Sequence, residues 1–202
     1  GYGGMTGITN GGQQIPASAD AYVYAYAYRN WNRSNRGKYE QLVAGWHPTG
    51  GESRAYIRFD LNGINPASVR RAVLRLYHTG TYGNDGVKLG IYRVSDPWVE
   101  GRDTYHPGQA ERTAGPGVLS WVQQPVFNNS VIATFNPGMA NKNWVEVDIT
   151  PLVKQWLAGF QNNGLLIKPV GNMDKTTPES VYHFASRETT DKNHWPVLIL
   201  DG

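Results

Sequence analysis

The sequence predicts an all-β fold: a two-sheet antiparallel jelly-roll-like β-sandwich with one short helix at about residues 150–158. Three observations carry that expectation. Apolar and polar residues alternate in short runs from Ala21 onward, and the runs are separated by Gly, Pro, Asn and Asp punctuation. The composition is poor in charge and rich in turn formers and large rings, with 17% charged residues, 24 Gly, 12 Pro, 12 Tyr and 7 Trp. A length of 202 residues suits one large domain with a substantial core.

Taken in order, residues 1–19 are Gly-rich and polar without periodicity, and read as an N-terminal arm ahead of a sandwich domain spanning 20–202. Alternation predicts strands at 21–28, 38–46, 54–61, 69–79, 87–94, 119–126, 130–135, 143–149, 163–169, 181–187 and 196–201. His47-Pro48-Thr49-Gly50-Gly51 and Gly83-Asn84-Asp85-Gly86 mark turns, and Glu100 to Gly117 reads as a long inserted loop. One segment has helical spacing instead. Thr150 is placed to cap it, Pro151 suits its first position, Leu152, Val153, Trp156 and Leu157 form an apolar face, and Gly159 suits its end.

Several chemistries are excluded or disfavoured. The absence of cysteine removes thiol nucleophiles, thiolate metal sites and disulfides. No apolar run approaches the roughly 18 residues of a membrane helix, so no membrane insertion is expected. A net charge of +3 permits an anionic partner, but the basic residues are too scattered to track nucleic acid. There is no Gly-x-Ser-x-Gly elbow, phosphate loop or dinucleotide fingerprint, and Tyr182 and His183 are adjacent on a strand and so point to opposite faces. The expectation is a protein that is not an enzyme and needs no cofactor. Asp20, Asp60, Asp148 and Asp201 lie near strand ends, where carboxylates with loop carbonyls could hold a structural Ca²⁺. Asn32 and Asn128 open glycosylation sequons that carry little weight alone.

Tyr22, Tyr24, Tyr26 and Tyr28 alternate with Val23, Ala25 and Ala27, so a continuous strand puts all four rings on one face. They either face the core or arm, or form an outer platform for a sugar or a subunit interface, with Tyr2 of the arm as a further contact. Trp98, Trp121, Trp144 and Trp156 read as core, whereas Trp31, Trp46 and Trp195 lie in or beside loops with cationic or imidazole neighbours. Arg29, Arg33, Arg36 and Lys38 cluster around the first loop; Lys168, His183, Arg187 and Lys192 come from the last strands. Arginine grips a carboxylate through two parallel bonds.

The order of the pieces also resembles a known family. Asp20-Ala21-Tyr22-Val23, Arg54 to Leu61, Ala72 to Tyr77, Val94-Ser95-Asp96-Pro97-Trp98-Val99-Glu100, Ser120 to Pro125, Val147-Asp148-Ile149-Thr150, Gly164 to Lys168, Phe184-Ala185-Ser186-Arg187-Glu188 and Pro196-Val197-Leu198 follow one another as in the DNRLRE domain. That domain is related to disaggregatase repeats and to alginate-binding carbohydrate-binding modules. The resemblance implies a secreted or cell-surface β-sandwich, without catalysis, that binds acidic polysaccharide through basic and aromatic side chains. The expected carbohydrate-binding residues are Lys38, Tyr39, Trp46, Lys168, His183 and Arg187. A second expectation is a structural one, a subunit that self-associates into a filament or matrix by donating its N-terminal arm as a strand.

Overall fold

A computed structural model describes residues 12–202; the contact expected of Tyr2 therefore lies outside the described residues. Alternation builds the core directly. In β4 (Gly51–Arg58), Ala55 and Ile57 point into the main core, while Tyr56 points the other way into a second, smaller cluster. All three are fully buried, so this strand is covered on both faces.

The strands are β1 (Gln13–Pro16), β2 (Ala19–Tyr24), β3 (Gln41–His47), β4, β5 (Arg71–Gly83), β6 (Leu89–Arg93), β7 (Ala133–Phe135), β8 (Asn143–Asp148), β9 (Leu165–Pro169), β10 (Ser180–Ala185) and β11 (Val197–Asp201). They form an antiparallel sheet of 11 strands in the order β1-β11-β5-β10-β3-β4-β9-β6-β7, with β2 on β4 and β8 on β5. The sheet curls into a sandwich. The long β5 makes this possible: its first half pairs with β11 and β8, and its second half with β10 after a register shift at His183/Phe184.

The segment from Ser95 to Phe127 leaves the sheet and returns. Leu119, Trp121 and Phe127 lie down on Tyr56, Tyr92 and Leu166, so this excursion covers the outer face of the β4-β9-β6 sheet. The strand expected at 119–126 is not there. A turn at Trp121–Val122 replaces it, closed by Gln123 N–H donating to the Ser120 carbonyl, and the Gln123 and Gln124 side chains bond back to loop carbonyls.

Three further expectations change. Residues 13–16 of the expected arm are an edge strand, paired with β11 from Gln13↔Leu200 to Pro16↔Val197. The first predicted strand stops at Tyr24; Arg29 and Asn30 have φ of 52° and 64°, and Tyr28–Arg33 is a distorted 3-10 turn. The helix α1 (Thr150–Leu157) has Ile149 at its N-cap, so Thr150 lies inside it. The Thr150 hydroxyl instead donates to Asp148 Oδ1 at 2.6 Å and accepts from Ala72 N–H at 2.9 Å, tying the helix to β5. The buried face is Leu152, Val153 and Trp156, with the fourth expected member, Leu157, half-buried against the core.

Candidate functional site

Directly opposed residues in an antiparallel ladder share a face. One such row crosses five strands: Tyr24 of β2 opposes Ser53 of β4, Ser53 opposes Gly45 of β3, Gly45 opposes Val181 of β10, and Val181 opposes Tyr82 of β5. Three small side chains thus lie between two rings, and the row is a trough. Gly45 keeps its floor low, because a Cβ there would sit 2.2 Å from the Ser180 carbonyl oxygen. The neighbouring row adds His183 beside Val43.

Loops raise one wall of this trough. Trp31 stacks on Tyr24 at 5.9 Å between centroids and meets Tyr26 at 5.7 Å, Tyr28 at 5.3 Å and Tyr105 at 5.8 Å; Tyr39 meets Tyr22 at 5.9 Å and Tyr105 at 6.3 Å. The resulting cleft holds about 240 Å³ and is lined by Tyr22, Tyr24, Trp31, Tyr39 and Tyr105 together with Arg36, His47, Tyr82, Glu179 and His183. Mixed aromatic and polar linings of this kind suit ligands with apolar faces and polar rims.

Arg36 is the most unusual member. It is 5% exposed, its guanidinium carbon lies 5.3, 5.7 and 5.2 Å from the ring centroids of Tyr22, Trp31 and Tyr105, and Nη1 donates to the Tyr22 hydroxyl at 2.5 Å. Nη2 has no hydrogen-bond partner among the described residues. A buried guanidinium held by rings and a phenol, with no ion pair to a carboxylate among the described residues, leaves its charge undercompensated.

The site is held in place by Asn35. Its Nδ2 donates to the carbonyls of Glu100 (2.7 Å) and Leu119 (2.9 Å), and its Oδ1 accepts from the N–H groups of Gly37 (3.0 Å) and Asp103 (3.1 Å). One buried amide therefore locks the Arg36 segment to the excursion that carries Tyr105. Asn35→Ala is expected to cost about 2–4 kcal/mol, since it strands several buried backbone groups. Urea unfolding reads the loss, and an unchanged midpoint would refute the locking role.

Burial sets the protonation of the lining. Desolvation raises the Tyr22 and Tyr39 hydroxyls and pushes Tyr24 up to about 12, so all three stay neutral. Burial, with His78 nearby, lowers His183 from 6.5 to about 4, so at neutral pH it is an uncharged ring whose Nδ1 lies 2.6 Å from Gln41 Oε1. Glu179 sits at the rim, 3.9 Å from His47 Nε2.

Of the six expected carbohydrate-binding residues, only Tyr39 and His183 line this cleft. Lys38 is exposed outside it, with its N–H donating to the Asp103 carbonyl. Trp46 packs against the core and donates from Nε1 to the Asp174 carbonyl at 3.1 Å. Lys168 lies over Tyr92 and Phe127, and burial lowers its ammonium. Arg187 is engaged elsewhere: Nη1 reaches Glu100 at 3.2 Å and Glu188 at 3.6 Å, and its N–H donates to Asp20 Oδ2 at 2.9 Å. Asp20, 1% exposed, also donates its own N–H to Glu100 at 2.7 Å.

The tyrosines divide. Tyr22 is buried in the core cluster, Tyr24 lines the cleft, and Tyr26 and Tyr28 stack on each other beyond the end of the strand. A single outward ladder is therefore not formed, because the strand ends before its last two rings. Trp98 and Trp156 are buried as expected, but Trp144 points outward from β8. Asp60 and Asp148 each accept a hydrogen bond from a main-chain N–H two residues on, and no group of three or more His, Asp or Glu among the described residues is arranged to hold a metal ion.

Sequence reasoning missed Tyr82, Tyr105 and Glu179 and did not single out Arg36 from its neighbours. Tyr105 had a usable signal, a lone large ring in a Gly/Pro-rich loop; the others depend on strand register. No curated protein matches the chain. The sequence model of carbohydrate-binding module family 96 matches residues 12–202.

Proposed function

The chain belongs to carbohydrate-binding module family 96, and from that premise we propose that it binds an acidic polysaccharide, outside the cell, in the cleft around Arg36. The family is one of noncatalytic binding modules, which agrees with the expectation that this protein is not an enzyme. The carrying observation is the buried guanidinium with an unpartnered Nη2 among stacked rings. A uronate carboxylate would supply the missing charge, while Tyr24, Trp31, Tyr39 and Tyr105 offer ring faces to the C–H sides of the sugars. His183, neutral at working pH, and the tyrosine hydroxyls offer hydrogen bonds to sugar hydroxyls.

Affinity electrophoresis in gels containing polygalacturonate, alginate or neutral dextran tests this reading. Retardation by a uronan is expected at low salt and should weaken, without vanishing, by about 0.5 M salt, because the buried cation is screened less than exposed ones. Mobility unchanged by every uronan at low salt would overturn it. For the filament reading no specific observation speaks: Gln13–Pro16 already pairs with β11 of its own chain.

A further inference from the structure

A second cleft lies on the outer face of the sheet formed by β8, β5, β11 and β1. Here the ladder aligns Glu146, Arg75, Val197 and Pro16 in one row, and Trp144 opposes Tyr77 in the next. The cleft holds about 810 Å³ and is lined by Gln14, Trp144, Asp191, Lys192, His194 and Trp195, among others. That volume is within the usual range for small-molecule and sugar sites.

Its geometry is fixed before any ligand arrives. His194 stacks on Tyr77 at 3.7 Å with 4° between planes, and Trp144 meets both rings edge-on at 5.3 and 6.0 Å. The turn Lys192–His194 is capped by Asp191, whose Oδ1 accepts from Asn193 N–H at 2.9 Å. Rings set on a braced strand and a capped turn lose little entropy on binding. Around them stand the exposed Gln14, Asn193, Lys192 and Asp191, and Arg75, which packs 4.2 Å from the Trp144 ring centroid and faces Glu146 across the β5-β8 ladder, so the two cations are matched by two carboxylates.

We infer that this cleft is a second glycan site, one that takes a neutral, hydroxyl-rich sugar segment against Trp144 and Trp195. Two rings supply stacking, and groups of both signs supply donors and acceptors without favouring an anion. Arg75 of this face and Tyr82 of the first cleft are seven residues apart on β5, so the two clefts are separated by roughly 20 Å. One module would then hold two glycan segments at once, and joined sites raise the affinity for a polymer well above that of either alone. This rests on the first reading only for the identity of the other segment.

The test uses the full chain labelled with ¹⁵N and titrated with cellohexaose, mannohexaose and a hexuronate, following the indole N–H signals. At least one neutral hexaose is expected to move the Trp144 and Trp195 signals and leave Trp31 still. Gln14→Ala combined with Asn193→Ala, both at exposed positions, should weaken that binding at least about fivefold, and Trp144→Ala at least about tenfold, with the hexuronate response at Trp31 retained. If no neutral hexaose moves Trp144 or Trp195 while the hexuronate moves Trp31, the second site is refuted and the first reading stands. If the neutral sugars move Trp31 instead, both glycans share the first cleft and the inference falls.

Discussion

Exchange of Arg36 for methionine is expected to weaken binding of a uronate oligomer by about 10- to 100-fold while the fold persists. The magnitude follows from the worth of a hydrogen bond to a charged group, about 1.5–3 kcal/mol, at about 1.4 kcal/mol per factor of ten. Methionine fills the space of the aliphatic stem among Tyr22, Trp31 and Tyr105 but carries no charge. Stability should change little: the Tyr22 bond is lost, and the penalty for a buried guanidinium with an open Nη2 is relieved. Arg36→Lys should fall between wild type and Met, since it keeps the charge without the planar fork. Isothermal titration reads both variants. Equal affinities in all three proteins would remove Arg36 from the site.

The second large effect is on stability against pH, and it originates at Asp20. Burial is the main cause that raises its carboxyl from 3.8 to about 8, partly offset by the Arg187 N–H; Glu100 and Glu188 add to the rise. A folded-state value above the unfolded one means that the folded protein keeps a proton the unfolded chain has released. The contribution is therefore complete below about pH 4 and is lost as pH rises through 8. His183 works in the opposite sense: lowered from 6.5 to about 4, it favours the folded state above 6.5 and loses that contribution as pH falls through 4. The two oppose one another below 6.5, and Asp20 is unopposed by His183 from there to 8. Stability is expected to fall in that window by up to about 1.4 kcal/mol per pH unit. Asp20→Asn keeps an oxygen for the Arg187 N–H and cannot ionise, so it should flatten the slope. Urea unfolding midpoints at pH 6.5, 7.25 and 8 measure it, and a wild-type midpoint constant over that range would contradict the assignment.

Much of the sandwich was legible in short patterned runs: β8 alternates Val145 and Val147 inward with Glu146 and Asp148 outward, while β4 and β9 carry apolar residues on both faces because both faces are covered. The strand at 119–126 failed for a physical reason. Leu119, Trp121 and Phe127 are apolar because they cover the outer face of a sheet, not because they belong to one, and spacing alone cannot separate these cases. β1 was hidden in a polar stretch because an edge strand needs few apolar side chains. At the site, Tyr24, Tyr39 and His183 were visible as rings or donors on predicted strands. Arg36 and Tyr105 were not paired in advance, because Asn35 brings their loops together through three bonds to distant backbone groups. Side chains from Lys38, Lys168 and Arg187 looked equivalent to Arg36 as cations; only their neighbours distinguish them.

The pairing of Gln13 with Leu200 has a kinetic consequence. β1 cannot acquire its ladder until β11 is available, and β2 must wait for β4. Closing so long a loop costs entropy before any contact repays it, so folding should be slow and should proceed late, with the first strand joining last. β1, held by that one ladder at the edge of the sheet, is therefore also the strand expected to detach first when the sandwich opens.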